Sequence, residues 1–472
     1  MNKVKIFPLV IFSMMLFLMV FSSSAQNRKQ KSDSVLVLIK QGINAKNTEE
    51  IRGLLSTEYA KTDFAGFFQK QIFPLGELRE TSFIDFKGES ANYKLEFEKI
   101  VLQLTVYLDD QNKVSGLLFK SYQPEKANKP APVATSNRMQ TKLDKQVDSV
   151  IRRYIQKSNT VGLSAGIFYA GKNSIYHYGE TAKGNGKLPD ANSIFEIGSI
   201  SKTFTATLLA HFVDQGKIKL TDPITKYLPD SVAKNIVLKE VSVQMLSNHT
   251  SGLNGIPDNF EKGSYNPLNP YQNYTREMLF SYLKSCRPKT KPGEVYAYSN
   301  LAVGLLGVIL ERISGKSYDE LVKTIICQPL KMTSTAEFLS PLEKTCFVKV
   351  YNEAGNETPA WDFDALQACG SLRSTLNDLL KYAAANMNAD KSELSRAFQL
   401  TQQITFNKNP KVGLGWHIIK VAGQDYLFHN GGTGGSRSFL AFSAEKKLAV
   451  VILSNASDSV DETGVNLIKL LQ

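Results

Sequence analysis

Three short motifs stand in one order along this 472-residue chain: Ser199-Ile200-Ser201-Lys202, then Tyr298-Ser299-Asn300, then His429-Asn430-Gly431. Their residue types suit a serine acyl-transfer site. A hydroxyl nucleophile needs a nearby proton acceptor, together with N–H donors aimed at the oxyanion that forms on the attacked carbonyl. That chemistry calls for no cofactor and no metal, and Cys286, Cys327, Cys346 and Cys369 lack metal-ligand spacing.

Local context decides which copies of the motifs count. Ser-x-x-Lys also occurs at Ser231–Lys234, Ser281–Lys284 and Ser443–Lys446. Behind Ser199, however, Phe204, Leu208 and Phe212 recur every fourth residue and Gly216 offers a stop, so Ser199 is expected to open a buried helix running to about Gln215. Residues three apart share a helix face, which brings the Lys202 amine to the Ser199 hydroxyl at a helix N-terminus that favours negative charge. The plainer reading is a helix cap with a solvated lysine.

Tyr298 follows the turn signal Lys291-Pro292-Gly293-Glu294 and precedes the apolar run Leu301 to Leu310, so it belongs on a loop entering a buried helix. Taken alone it reads as a core phenol. A second Tyr-x-Asn, Tyr271-Gln272-Asn273, lacks such support and reads as a decoy. Four glycines in His429 to Gly435 allow a substrate close to the backbone, and an edge strand there would pair with an extended peptide and supply an oxyanion N–H. The run lacks the sequence form of a phosphate cradle.

The elements that must position these motifs fall into segments. Residues 1–25 read as a signal peptide, with Lys3 and Lys5, an apolar run from Ile6 to Phe21 and a small-residue site before Gln26; the alternative is an uncleaved anchor. Residues 30–123 read as a small α+β domain: helical spacing of Val35, Leu38, Ile39 and Ile43, a second helix at Ile51 to Leu55, then strands at Tyr93–Phe97, Leu102–Leu108 and Val114–Tyr122. Its shape and order resemble the cone-like nuclear-transport-factor-2 group, which implies a spacer or binding module. Residues 124–138, with Pro124, Pro130 and Pro132, read as a linker. From 139 to 472 a helix ending at Ile155, strands at Val161–Tyr169 and Ser174–Tyr178 turning at Gly171-Lys172-Asn173, and strands at Phe439–Ser443 and Leu448–Ser454 before a terminal helix imply one antiparallel sheet assembled from both ends of the domain.

Export implies an oxidising compartment in which the four cysteines either pair, in one of three ways, or stay as buried thiols. The net charge of +12 is scattered without aromatic interleaving, so no nucleic-acid surface is indicated, and no later segment is apolar enough to span a membrane.

The three motifs in this order resemble the serine β-lactamase and penicillin-binding-protein superfamily, whose signature begins with Ser-x-x-Lys. Tyr-x-Asn in second place is similar to the class C branch with its D-aminopeptidases, D-alanyl-D-alanine carboxypeptidases and esterases. Leu246 to Leu253, Asp222 to Pro229 and Gly413-Leu414-Gly415-Trp416 support the resemblance, which spans roughly Val161 to Ser454. It implies an α+β catalytic domain, with an antiparallel sheet flanked by helices plus a mostly helical subdomain.

The resemblance also implies roles. Ser199 would be the nucleophile, Lys202 and Tyr298 its proton-handling pair, and Asn300 an orienter of substrate and lysine. His429 would stand where a lysine is usual, beside Gly431, and the N–H groups of Ser199 and Gly432 would form the oxyanion hole. His249 is similar to a recurring structural histidine. Phenol and ammonium are both protonated near neutrality, with pKa values of about 10 and 10.4, so one must fall for the pair to act as base. A histidine near pKa 6.5 is a weaker carboxylate anchor than lysine, which ranks peptides, D-amino-acid derivatives and esters ahead of β-lactams; Arg437 is a candidate for the missing cation. The expected partner is a small-molecule or peptide substrate, with cell-wall peptide a candidate, in the periplasm or secreted. The contrasting reading is an idle cell-wall-peptide-binding protein of the same fold.

Overall fold

The computed structural model describes residues 29–87, 90–122, 129 and 131–471. The expected signal segment, 1–25, lies outside the described residues. The chain divides into two compact units, one ending at Lys126 and the other starting at Ala127.

In the first unit α1 (residues 29–44) and α2 (Thr48–Arg52) precede a four-stranded antiparallel sheet of β1 (Leu78–Lys87), β2 (Ser90–Phe97), β3 (Val101–Leu108) and β4 (Val114–Ser121), paired in that order. Ile39, Ile43 and Ile51 pack with Tyr93, Leu95, Leu104 and Val106. The expectation omitted β1. Its register shifts at Leu78/Glu80 and Phe83/Asp85, which breaks the two-residue alternation that a strand would otherwise show.

The second unit starts with residues held against its sheet: Ser136 N–H donates to the His177 carbonyl at 2.9 Å within the stretch expected as a linker. A capping box at Thr141 and Asp144 opens α3 (Lys142–Ile155). Next come β5 (Gly162–Tyr169) and β6 (Lys172–Gly179), joined by Ala170 and Gly171 with φ of 48° and 83°. That is a two-residue hairpin turn, one position earlier than the sequence suggested.

The short strands β7 (Ile194–Glu196), β8 (Val350–Tyr351), β9 (Glu357–Thr358) and β10 (Arg373–Thr375) pair as two ribbons, β7 with β10 and β8 with β9. Then β11 (Phe406–Asn407), β12 (Lys411–Val412), β13 (His417–Val421), β14 (Gln424–Gly432), β15 (Arg437–Ser443) and β16 (Leu448–Ser454) complete an eight-stranded antiparallel sheet of order β11-β12-β13-β14-β15-β16-β5-β6. The last strands thus pair with the first, as the sequence implied.

Alternation explains why both sheet faces are covered. Phe439, Ala441, Val450 and Ile452 face a core shared with Val147 and Ile151 of α3, and with Leu467 and Ile468 of the terminal helix. Leu440, Phe442, Ala449 and Val451 face the larger core of the helical subdomain, with Phe204, Leu305 and Trp416. Each such Val, Leu, Ile or Phe side chain contributes about 1.5–3 kcal/mol on full burial. Antiparallel sheet and segregated helices make the chain an α+β protein, as expected. Among the described residues no helix is long and apolar enough to cross a membrane.

Candidate active site

Ser199 sits on the single helical turn Gly198–Ile200, which leads into α4 (Ser201–Asp214), a helix buried on nearly every side. Gly198 makes that turn possible. Its φ of 49° is left-handed, and a Cβ there would lie 2.6 Å from the Gly432 nitrogen. A Cβ on Gly431 would lie 2.0 Å from the Ile197 carbonyl oxygen and 2.9 Å from the Ser199 nitrogen. The nucleophile turn and the end of β14 therefore press backbone to backbone, with the Ser199 and Gly432 peptides side by side.

Lys202 and Tyr298 converge on one oxygen. Lys202 Nζ donates to Ser199 Oγ at 2.9 Å and to the Cys369 carbonyl at 2.6 Å, and Tyr298 Oη donates to Ser199 Oγ at 2.8 Å. The ammonium also lies 4.8 Å from the centre of the Tyr298 ring. Exposure separates the pair: Lys202 is 1% exposed, Tyr298 40%. A hydroxyl held between two such groups can pass its proton to whichever of them is deprotonated.

Ser299, next to Tyr298, caps α5 (Asn300–Ser314), accepting from the Ala302 N–H at 2.9 Å. Gly304 and Gly307 on α5 let a neighbouring turn approach closely. A Cβ on Gly307 would lie 2.2 Å from that of Ala368, the residue before the carbonyl that holds Lys202. That pair of glycines in an apolar helix was the available sequence sign of this contact, and it was missed.

Among the described residues no hydrogen bond joins Asn300 to Lys202. The Asn300 Nδ2 donates to the Tyr271 hydroxyl at 2.8 Å, while Oδ1 is buried without a hydrogen-bond partner among the described residues. Tyr271, set aside as a decoy, thus belongs to the site as the anchor of Asn300. It stacks on Phe363 at 4.6 Å between ring centres.

His429 and Asn430 part company by alternation. Residues directly opposite in an antiparallel pair share a face, and His429 pairs with Leu440 while Asn430 pairs with Phe439. His429 therefore turns toward Tyr298, with ring centres 6.5 Å apart and 1% exposure. Its Nδ1–H donates to the Asn430 carbonyl at 2.6 Å. Asn430 turns instead toward the terminal helix α6 (Asp461–Lys469), where it donates to Asp461 at 2.8 Å.

Three imidazoles back the site, with His249 and His429 buried and His417 half-buried. His249 lies 4.5 Å from Tyr298 by ring centres, His417 lies 5.3 Å from His429, and the His417 ring shares a 2.6 Å hydrogen bond with the Tyr296 hydroxyl. Burial and the nearby Lys202 ammonium push His417 down to about 4 and hold His249 and His429 well below the ordinary histidine range. All three are neutral at pH 7. His417 carried no motif, so the sequence offered no signal for it.

Glu196, also missed, ties the glycine loop to the strand before the nucleophile. Its carboxylate accepts from Thr433 at 2.7 Å, Ser436 at 3.1 Å and the Trp361 N–H at 2.6 Å. β14 is not an edge strand, since β13 and β15 flank it. But β13 pairs no further than His417 with Phe428, so residues 429–432 run past it toward Ser199.

A cavity of 260 Å³ opens at Ser199, lined also by Tyr298, Asn430, Gly432, Arg437 and Asp461. All four cysteines are unpaired thiols; Cys286, Cys327 and Cys369 are buried and Cys346 is exposed.

Comparisons with known proteins find a family and relatives for most of the chain. The family model described as Beta-lactamase matches residues 147–471, inside the second unit. A β-lactamase of Pseudomonas fluorescens is 28% identical over 353 residues, covering 67% of this chain and 94% of the relative. The D-alanyl-D-alanine-carboxypeptidase/endopeptidase AmpH of Escherichia coli K12 is 27% identical over 329 residues, covering 66% of this chain and 83% of the relative. Among solved structures, a β-lactamase/D-alanine carboxypeptidase from Pseudomonas syringae aligns with a TM-score of 0.63 at 26% identity, over 70% of this chain and 98% of the other. A class C β-lactamase aligns with a TM-score of 0.64 at 25% identity, over 71% and 98%.

Proposed function

The chain belongs to the β-lactamase family, and from that premise we propose that it is a serine hydrolase working through an acyl-enzyme. The observation that carries the reading is the pair of hydrogen bonds, 2.8 and 2.9 Å, that Tyr298 and Lys202 make to the one oxygen of Ser199. Lys202 and Tyr298 share one proton and take the Ser199 proton as Oγ bonds to the substrate carbonyl carbon. The Ser199 and Gly432 N–H groups hold the oxyanion, and the proton passes to the leaving amine or alkoxide as its bond to carbon breaks. Asn300 Oδ1, buried without a protein partner among the described residues, accepts from the substrate amide.

Water then attacks the ester. Tyr298 is the base for that step, because solvent reaches a side chain that is 40% exposed and not a lysine that is 1% exposed. His429, neutral and buried, supplies no cation for a substrate carboxylate, so peptides, D-amino-acid derivatives and esters rank ahead of β-lactams. Residues 1–25 read as a removed export signal, which puts the enzyme in the bacterial envelope with the first unit as spacer or binding module.

A fluorophosphonate or fluorescent penicillin should label wild type and leave Ser199→Ala unlabelled, with turnover of esters and D-amino-acid peptides lost in the variant. Wild-type turnover by Ser199→Ala would overturn the reading. An unlabelled, inactive wild type would make the protein a binder of cell-wall peptides.

A further inference from the structure

The cavity beside Ser199 is lined by two opposite charges, Arg437 and Asp461, with no ion pair between them among the described residues. Gly432 and Arg437 stand directly opposite on β14 and β15, so they share a face with Asn430 and with Asp461 beyond it. The absent side chain at 432 is what lets the arginine fold over the strand: a Cβ there would lie 2.9 Å from Arg437 Nη1. Nη1 donates to the carbonyls of Thr433 at 2.7 Å and Ser436 at 2.8 Å, which fixes the guanidinium plane. Its Nε and Nη2 edge has no protein acceptor among the described residues, and that fork fits a carboxylate with two parallel hydrogen bonds.

Asp461 is fixed from the other side. Asn430 donates to Oδ2 at 2.8 Å, and Oδ1 has no protein donor among the described residues. A carboxylate held this way, in a cavity that a guanidinium also lines, accepts an ammonium. A ligand with one charge would leave the opposite charge of the cavity desolvated and unmatched. A ligand with both matches both.

We propose that this cavity binds a zwitterionic amino-acid head group, its carboxylate on Arg437 and its ammonium on Asp461. The inference rests on the acyl-enzyme reading and adds a substrate class to it. A head group with free α-ammonium and α-carboxylate cannot be cleaved at its α-carbonyl; in the substrates proposed, the carbonyl presented to Ser199 is that of its side chain. The substrates are side-chain-linked amides or esters of an amino acid. Ser199 Oγ bonds to the side-chain carbonyl carbon, the C–N or C–O bond breaks, and the departing amine or alcohol takes the proton.

Four p-nitroanilides test this on the full chain: γ-glutamyl, in both enantiomers, with both charges; glutaryl with the carboxylate alone; 4-aminobutyryl with the ammonium alone; and butyryl with neither. One γ-glutamyl enantiomer should exceed each singly charged probe in kcat/KM by roughly tenfold or more. Asp461→Asn should erase its advantage over glutaryl, and Arg437→Gln its advantage over 4-aminobutyryl. The wild-type ranking stands alone should a variant fail to fold. Butyryl matching γ-glutamyl overturns the substrate class and leaves the acyl-enzyme intact, as does fluorophosphonate labelling of Ser199 without turnover of any probe. Failure of that labelling together with turnover strikes the acyl-enzyme reading itself.

Discussion

Ser199 Oγ receives two hydrogen bonds from groups that ordinarily both carry protons, and the proposed chemistry has them act as one unit. Lys202→Ala and Tyr298→Phe should each lower kcat by roughly 10²–10⁴-fold, the range for loss of general acid–base catalysis. The double variant should be little worse than the poorer single variant, because both serve one proton; additive losses, measured by stopped-flow acylation, would mean separate roles. Tyr298→Phe should slow deacylation more than acylation, so that acyl-enzyme accumulates and can be weighed by mass spectrometry. Cys369 holds the lysine through its backbone carbonyl, so its thiol can be replaced without breaking the 2.6 Å hydrogen bond.

At the scale of elements, the site is a junction between the turn before α4 and the end of β14. Two glycines with different reasons make it close. Gly198 adopts a left-handed φ and faces the Gly432 backbone, whereas Gly431 lies against the Ile197 carbonyl. Gly198→Ala should cost roughly 1–2 kcal/mol for the backbone conformation, and a displaced oxyanion donor should cost roughly 10²–10³ in kcat. Gly184→Ala is the control: its φ is 80°, with nothing within 4 Å of the new Cβ, so stability should fall while kcat holds. Equal kcat in the two variants would show that the junction does not place the oxyanion donors. Period-two alternation made β2 and β3 legible from the chain alone, and continuous apolar runs did so for β15 and β16. Alternation failed for β1, where two register shifts interrupt it.

Across the whole molecule, histidine chemistry ties stability to pH. The five histidines, His177, His211, His249, His417 and His429, all lie in the second unit, and burial lowers the pKa of each. The native state leaves them neutral while the unfolded chain protonates near pH 6.5, so unfolding takes up protons and stability falls as pH drops below that value. The loss from His417 ends near its folded value of about 4 and amounts to about 3 kcal/mol. Glu337, pushed up to about 8 by burial, and Glu196, also raised by burial, act in the opposite sense above the ordinary carboxylate range. Two such groups do not cancel five. Urea midpoints followed by Trp361 and Trp416 fluorescence should fall from pH 6.5 to pH 5, and the fall should be smaller in His417→Gln; a flat profile would refute the assignment of neutral buried imidazoles.

What the sequence by itself determined is whatever local spacing encodes. The nucleophile turn shows in Phe204, Leu208 and Phe212 behind Ser199, the second motif in the apolar run behind Tyr298, and the third in the glycines after His429. Order along the chain then singled out one Ser-x-x-Lys among four. Tertiary structure decided which side chains face one another across the site. His429 turned inward and Asn430 toward Asp461 because strand register assigns alternate residues to opposite faces. Tyr271, Glu196, His417 and Asp461 entered the site from separate segments, brought there by packing that no window of sequence contains.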